Sequence, residues 1–501
     1  MPSQLLQRHK TALKRTELSR PIRLTLEHNL LDSRSTFFDY GCGHGDDVNH
    51  LNQLGMTAVG WDPVYSPATT PHNSDVVNLG YVINVIENPA ERVSALRTAW
   101  SLANKLLIVS ARLIIEARDG IRYNPYSDGH VTSRGTFQKF YDQRELGSWI
   151  DEVLGVQSIA VAPGIFYVFR DTDLRESFAA SRYRRTIRAP RENVSHLLFD
   201  KNRELFLPLI DFITNRGRLP DLSELDHANA IRNKIGSLQR AFAIIRKVTG
   251  AEQWDRIRDE RSDDLLVYLA LSKFRGRPKF SSLPSDLQLD IRAFFGNYRR
   301  AIDSADKLLF SAGNRAVVRN ACQSSKVGKR LPDALYVHTS ALPALAAVLR
   351  VYEGCARTYI GSVEGANIIK LSVGKPQISY LYYPDFDRQG HPTLEASLVV
   401  PLDNFHIQYR DYTGSKNPFI LHRKEAFVTA EHPYRARFER LTAKEEKLGL
   451  YGNPELIGTK AGWEELLESK GLKQSGHQLV RTHNQHPKTP ARLTTEENAT
   501  L

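Results

Sequence analysis

Phe37-Phe38-Asp39-Tyr40-Gly41-Cys42-Gly43-His44-Gly45-Asp46-Asp47, with Gly60-Trp61-Asp62-Pro63 behind it, decides the fold. An apolar run enters a loop of alternating glycines. A helical pattern follows, then a second short apolar run that ends in an acid. Strand, glycine loop, helix, strand is the opening unit of a parallel α/β sheet. The glycines remove Cβ atoms, so the backbone turns sharply and can touch a ligand. Asp62 stands about 20 residues past the loop, where an acid ending the second strand accepts both hydroxyls of a ribose.

The spacing selects the ligand. Gly41, Gly43 and Gly45 form Gly-x-Gly-x-Gly. A dinucleotide fingerprint is Gly-x-Gly-x-x-Gly, because a helix N-terminus must cradle a pyrophosphate. Asp39 and Asp46 flank the loop here. Acids are poor company for pyrophosphate and suit a ligand bearing an ammonium and a sulfonium. The expected cofactor is S-adenosylmethionine, and the segment resembles the first motif of class I methyltransferases, with a Rossmann-like sheet. The expected cofactor residues are Asp39, Tyr40, Gly41, Cys42, Gly43, Gly45, Asp46, Asp62 and Pro63. Asn78 and Gly80 join them from the fourth strand of the usual order. Cys42 reads as a small packing residue rather than a nucleophile.

A chain of 501 residues accommodates about two to four domains. Its 41% apolar and 25% charged residues are those of a soluble globular protein. The nearest approach to a membrane-length apolar run is Ala341 to Leu349, which Arg350 ends. Met1 to Glu17 is polar and basic, unlike a secretory signal. Cys42, Cys322 and Cys355 show no paired or metal-ligand spacing. That suits a reduced cytoplasm, and no metal is expected.

The net charge of +12 suggests a polyanionic partner, DNA first. Arg182, Arg184, Arg185, Arg188 and Arg191 lie together with Tyr183 among them and no acid between. Arg315, Arg319, Lys326, Lys329 and Arg330 form a second basic stretch. Each reads either as a solvated face or as a phosphate-binding track.

Residues 1–30 read as an N-terminal helix or helix pair packed over the cofactor pocket, with Ser19 as a cap and Pro21 as a break. Residues 31–171 read as the Rossmann-like domain, with the third strand and helix nearly missing and an antiparallel pair closing the sheet at Pro163-Gly164. Residues 172–334 turn helical, with long helical patterns at Leu222 to Val248 and Asp255 to Phe274. Residues 335–471 read as mixed α+β, with a helix over Ala341 to Glu353. Residues 472–501 are polar and aperiodic and are expected to be disordered, with His477, His483 and His486 solvated.

Several segments carry a more specific likeness. They are Arg8-His9-Lys10-Thr11-Ala12, Glu17-Leu18-Ser19-Arg20-Pro21, the glycine loop, and Asn78-Leu79-Gly80-Tyr81-Val82-Ile83-Asn84-Val85-Ile86-Glu87. Late in the chain come Tyr352-Glu353-Gly354-Cys355-Ala356-Arg357 and Tyr383-Pro384-Asp385-Phe386-Asp387. Together they resemble the DNA phosphorothioation-associated methyltransferases of bacteria, from about Arg8 to Gly471. The resemblance implies the fold, the cofactor and an association with proteins of a DNA sulfur-modification system. It does not fix a substrate.

Methyl transfer from a sulfonium is an in-line displacement, so orientation matters most. Amino-methyltransferases of DNA bases carry Asn/Asp-Pro-Pro-Tyr after the fourth strand. Here that place holds Asn78-Leu79-Gly80-Tyr81, without the prolines. Tyr81 either stacks on a target or fills the core. Asn124-Pro125-Tyr126 reads as a turn, and no Pro-Cys nucleophile exists. The segment Tyr123 to Phe140, expected to face the methyl group, supplies Tyr126, Asp128, His130, Thr132, Ser133 and Arg134. His130 is either a general base or a structural or solvated histidine. The expected function is a cytoplasmic S-adenosylmethionine-dependent methyltransferase of nucleic acid, DNA first. RNA or a small molecule is the alternative target. A non-catalytic DNA-binding subunit or sensor is the alternative role.

Overall fold

The computed structural model describes residues 7–117, 124–191 and 197–482. The glycine stretch lies between β1 (Thr36–Tyr40) and α2 (Asp46–Gln53), after α1 (Arg20–Glu27). β2 (Thr57–Trp61), β3 (Ser74–Gly80), α3 (Pro89–Leu102) and β4 (Ala103–Ser110) follow. A small three-stranded sheet comes next, made of β5 (Asn124–Tyr126), β6 (Gly129–Val131) and β7 (Phe137–Gln138). Then come α4 (Gln143–Leu154), β8 (Ile159–Ala162) and β9 (Ile165–Phe169).

The main sheet has the order β2-β1-β3-β4-β9-β8. β1 to β4 are parallel, and β9 and β8 run antiparallel around Pro163-Gly164. The inner strands are buried along their length, Val76, Val77 and Leu79 in β3 and Leu106 to Val109 in β4. Helices on both faces require that continuous apolar pattern. Strand order reverses between β1 and β3, and ligands of open α/β sheets bind at such a switch point. Segment 62–73 holds only turns and an Asp62–Ser66 bridge, so the expected gap in the alternation is present.

The N-terminal segment departs from the expected helix pair. Arg8–Thr11 makes one 3-10 turn, and the chain then runs without helix to α1. The Asp46 carboxylate accepts the Arg15 amide and Asp47 accepts the Ser19 amide, at 2.6 and 2.7 Å. Amides held by side chains of α2 cannot join a helix ladder. Ser19 precedes α1, yet its hydroxyl makes no capping bond.

The helical layer comprises α5 (Thr172–Ser181), α6 (Leu197–Lys201), α7 (Arg203–Arg216), α8 (Ala228–Ile235), α9 (Leu238–Thr249), α10 (Ala251–Ser272), α11 (Ser285–Phe295), α12 (Tyr298–Ala312) and α13 (Arg315–Ser324). The stretch Leu222 to Val248 is broken into α8 and α9, because Gly236 takes φ 103 and the Ser237 hydroxyl caps α9. A six-stranded antiparallel sheet follows, formed by β10 (Lys329–Leu331), β11 (Ala334–His338), β12 (Ile368–Ser372), β13 (Gln377–Tyr382), β14 (Ala396–Pro401) and β15 (Gln408–Asp411). α14 (Ala347–Ile360) lies inside this region in sequence. It starts later than expected because Pro343 sits in a 3-10 segment at Thr339–Ala344. α15 (Arg435–Lys447), α16 (Lys460–Ser469) and the hairpin β16 (Leu472–Ser475) with β17 (Gln478–Arg481) close the described chain.

Two boundaries need correction. The expected division at 334/335 cuts the hairpin β10–β11. Residues 472–481, expected to be structureless, form β16–β17, which Trp463 Nε1 anchors by donating to Gln474 Oε1. His477 lies there and bonds Lys424 Nζ at 2.9 Å, so it is not simply solvated. His483 and His486 lie outside the described residues. One buried apolar cluster also runs from Leu31 and Tyr167 of the first unit through Tyr268 of α10 to Leu371 of the second sheet.

Candidate functional site

The loop after β1 needs its glycines. Gly41, Gly43 and Gly45 take φ +89, +55 and +77, values an L side chain rarely adopts. A Cβ on Gly41 would also stand 2.4 Å from Val82 Cγ2. The Trp61 carbonyl accepts the Gly41 and Cys42 amides, at 2.8 and 3.0 Å. Asp62 Oδ2 accepts the Gly43 amide at 3.1 Å, and Oδ1 accepts those of Val64 and Tyr65 at 2.9 and 3.0 Å. Asp62 thereby fastens the glycine loop to the turn after β2.

A cavity of about 820 Å³ opens at the carboxyl edge of β1, β2 and β3. Of the expected cofactor residues, Tyr40, Gly41, Cys42, Gly43, Asp62, Pro63 and Gly80 line it. Small-ligand sites span about 300–1,000 Å³. The other expected cofactor residues stand behind this wall. Asp39 is buried beneath the loop, where Asn78 Nδ2 donates to its Oδ1 at 2.8 Å. Burial pushes the Asp39 carboxyl up to about 7; the Asp47 charge adds to this and the Asn78 bond opposes it. Gly45 begins α2, and Asp46 holds the N-terminal segment. Burial pushes the Cys42 thiol up to about 12, and a Cβ on Gly60 would meet Cys42 Cβ at 2.7 Å. Cys42 is a packing residue, not a thiolate.

The segment from Arg8 to Ser19 forms a strap along the cavity, and Ala12 packs directly against Gly43. Arg8 grips Glu87 at 2.7 and 2.8 Å and also pairs with Glu91. The Tyr65 hydroxyl donates to the His9 carbonyl at 3.0 Å. The strap therefore has anchors on α2, on the turn after β2 and around the start of α3.

Of the three catalytic candidates, Tyr81 lines this cavity and His130 and Tyr126 are not among its lining residues. Tyr81 takes φ +60, while its amide donates to the Ser110 carbonyl at 2.9 Å. A bulky residue held in the left-handed region stores strain that surrounding structure must impose. Burial raises its phenol, and Arg112 and Glu116 share its wall. His130 sits in β6, registered with Pro125 and Gln138. Tyr126 is largely exposed and meets Phe137 edge-on at 6.2 Å. Asp128 bonds Arg92 and Lys139; burial opposes its charge, but these bonds win and hold it down at about 2. Of the segment expected to face the methyl group, Thr132, Ser133, Arg134, Thr136, Gln138 and Phe140 line the cavity. Tyr123 lies outside the described residues.

The basic run after α5 is divided. Arg185 Nε and its amide bond the two Asp264 oxygens at 2.7 and 3.0 Å, and Arg182 Nη1 donates to the Ala160 carbonyl at 3.1 Å. These two are turned inward and cannot form a phosphate track. Their partners lie far away in sequence, so a local charge count missed them. Arg184, Arg188 and Arg191 remain exposed.

Arg15, Arg20, Arg112 and Glu116 also line the first cavity and were not anticipated. Arg112 and Glu116 directly follow β4, the carboxyl edge where ligands bind, and that position was the available signal. No group of three potential metal ligands occurs among the described residues. No helix of the described residues is long and apolar enough to cross a membrane.

No family model and no curated protein matches the chain. Solved structures similar to part of it include magnesium protoporphyrin IX methyltransferase from Synechocystis PCC 6803 with bound SAH. That likeness has 16% identity, covers 30% of this chain and 80% of that chain, and has TM-score 0.22. A SAM dependent methyltransferase from Aquifex aeolicus is 17% identical, over 32% of this chain and 95% of that chain, with TM-score 0.23. A sugar N-methyltransferase from Streptoalloteichus sp ATCC 53650 is 14% identical, over 32% and 96%, with TM-score 0.22. The fold assignment rests on the strand order and the glycine loop described above.

Proposed function

We propose that this chain is an S-adenosylmethionine-dependent methyltransferase acting on nucleic acid, DNA first, in a sulfur-modification setting. The observation that carries the cofactor is Asp62 beside a Gly-x-Gly-x-Gly loop at the switch point of the sheet. Asp62 would accept the ribose hydroxyls, and the backbone of Gly41 to Gly43 would lie against the ligand. The cofactor, when bound, supplies the electrophilic methyl group. The chain's own residues hold both partners in line and exclude water, which the strap from Arg8 to Ser19 helps to do. The rim supports a phosphate-bearing target: Lys10, Arg15, Arg112 and Arg134 all line the cavity. An anionic sulfur target sheds no proton, which would suit a cavity wall that lacks His130.

Calorimetry with S-adenosylmethionine tests the first half. Wild type should bind, and Asp62→Ala should bind about 1.5–3 kcal/mol more weakly through lost charged hydrogen bonds. Transfer of labelled methyl to duplex DNA, with and without phosphorothioate, and to RNA tests the second. Binding without transfer to any of them would favour the non-catalytic DNA-binding reading, which the missing prolines of Asn78-Leu79-Gly80-Tyr81 recommend.

A further inference from the structure

A second cavity, of about 520 Å³, opens where α4 and β8, α5 and the end of α10, and α14 converge. Its lining shares no residue with that of the first cavity. Phe166, Tyr183, Tyr359 and Phe405 make its wall aromatic, and Arg144, Arg182 and Arg275 make it cationic. The acid on that wall, Asp151, is already engaged: its Oδ1 accepts the Ser158 amide and hydroxyl at 2.8 and 2.6 Å.

Arg182 is the informative group. Its Nη1 donates to the Ala160 carbonyl, but its Nη2 is buried with no hydrogen-bond partner among the described residues. Burial works against its charge, and the like charges of Arg357 and Arg275 add to that effect. The nearby acid Glu353 is drawn to Arg357 at 3.0 Å and accepts from the Tyr380 hydroxyl at 2.9 Å. A guanidinium cannot shed its proton to relieve this. An unpaired buried N–H is costly, and the uncompensated positive charge behind this wall favours an anion in the cavity. Aromatic faces beside guanidinium groups also suit a flat ring.

We propose that this second cavity binds a small organic anion of the nucleoside monophosphate class. Arg275 takes the phosphate, Arg182 adds its charge from the wall behind, and the aromatic wall takes the ring. Gln143 ties the site to both halves of the molecule, because its Oε1 accepts the Gly164 amide and its Nε2 donates to the Tyr359 carbonyl, at 2.9 and 3.1 Å. A ligand seated there clamps α4 to α14.

The full chain is titrated calorimetrically with uridine monophosphate, with and without excess S-adenosylhomocysteine. Saturable one-to-one binding, unchanged by S-adenosylhomocysteine, is expected. Uridine and inorganic phosphate should each bind at least about tenfold more weakly, since each lacks half of the recognition. Arg275→Gln and the cavity-filling Ser148→Trp should each weaken uridine monophosphate about tenfold or more while the melting temperature holds. Arg182→Gln should do the same, and the other two variants decide the matter if it does not fold. The proposal is overturned if none of the three probes binds at millimolar concentration. It is also overturned if Arg275→Gln and Ser148→Trp bind like wild type, or if inorganic phosphate binds as tightly as the nucleotide.

Discussion

The Asp39 carboxyl is buried under the glycine loop, and burial lifts it to about 7. Its unfolded counterpart titrates near about 4. Between these values the folded chain binds the extra proton, so stability falls as pH rises from about 4 to 7 and stays lowered above that. Asp39→Asn removes this dependence. Urea midpoints at pH 5 and pH 8 should show the variant gaining on wild type at the higher pH; a constant gap would contradict the assignment. Gly41→Ala meets both an unfavourable φ and the Val82 methyl. It should cost about 1–3 kcal/mol, and adding Val82→Ala should recover the steric part alone in the same denaturation assay. These glycines were legible because a left-handed turn dictates residue type locally, and Asp62 because it stands where the second strand ends. Tyr81's strained backbone was not, since nothing local demands a tyrosine with positive φ.

At the scale of elements, the strap shows where periodicity misleads. Leucines at Leu13, Leu18, Leu24, Leu26 and Leu30 suggest helix throughout, yet Asp46 and Asp47 claim two of its amides. Those acids lie about thirty residues onward, and no window spanning one helix contains both partners. Arg8 holds the outer end of the strap through Glu87 and Glu91, about one-third exposed. Arg8→Ala should change folding stability by less than about 1 kcal/mol, because exposed pairs contribute little. Release of bound cofactor should nevertheless quicken several-fold by stopped-flow; unchanged release would mean that the strap does not gate the site. The small sheet β5–β7 tells the same story. Its sequence neighbourhood suggested His130 for the chemistry, but its pairing set His130 between Pro125 and Gln138 while Thr132, Ser133, Arg134, Thr136, Gln138 and Phe140 took the cavity wall.

Across the whole molecule, part of the basic run after α5 is drawn into charge buried between units. Asp264 in α10 accepts from Arg185 after α5, from Arg261 one turn back, and from Arg350 in α14. Removing one member of a buried ionic cluster strands the rest. Asp264→Ala should therefore cost about 3–5 kcal/mol by chemical denaturation, far more than a surface acid would. If DNA is bound, charge reversal at the exposed Arg188 and Arg191 should flatten the log–log salt plot by about 0.9 for each phosphate no longer neutralised. An unchanged slope would make them an ordinary solvated face. The alternation of strand and helix made the first sheet readable, but the packing that joins it to the rest is long-range and leaves no trace in composition. The shared apolar cluster sets a further condition on the chain's history and handling. A fragment ending at Asp171 keeps the whole glycine loop, yet it loses the cover that Phe178 of α5 gives to Tyr167 and Phe169. Such a piece would carry a bare, sticky flank and precipitate, so the first sheet with its glycine loop is not a portable module that recombination could pass alone to another protein.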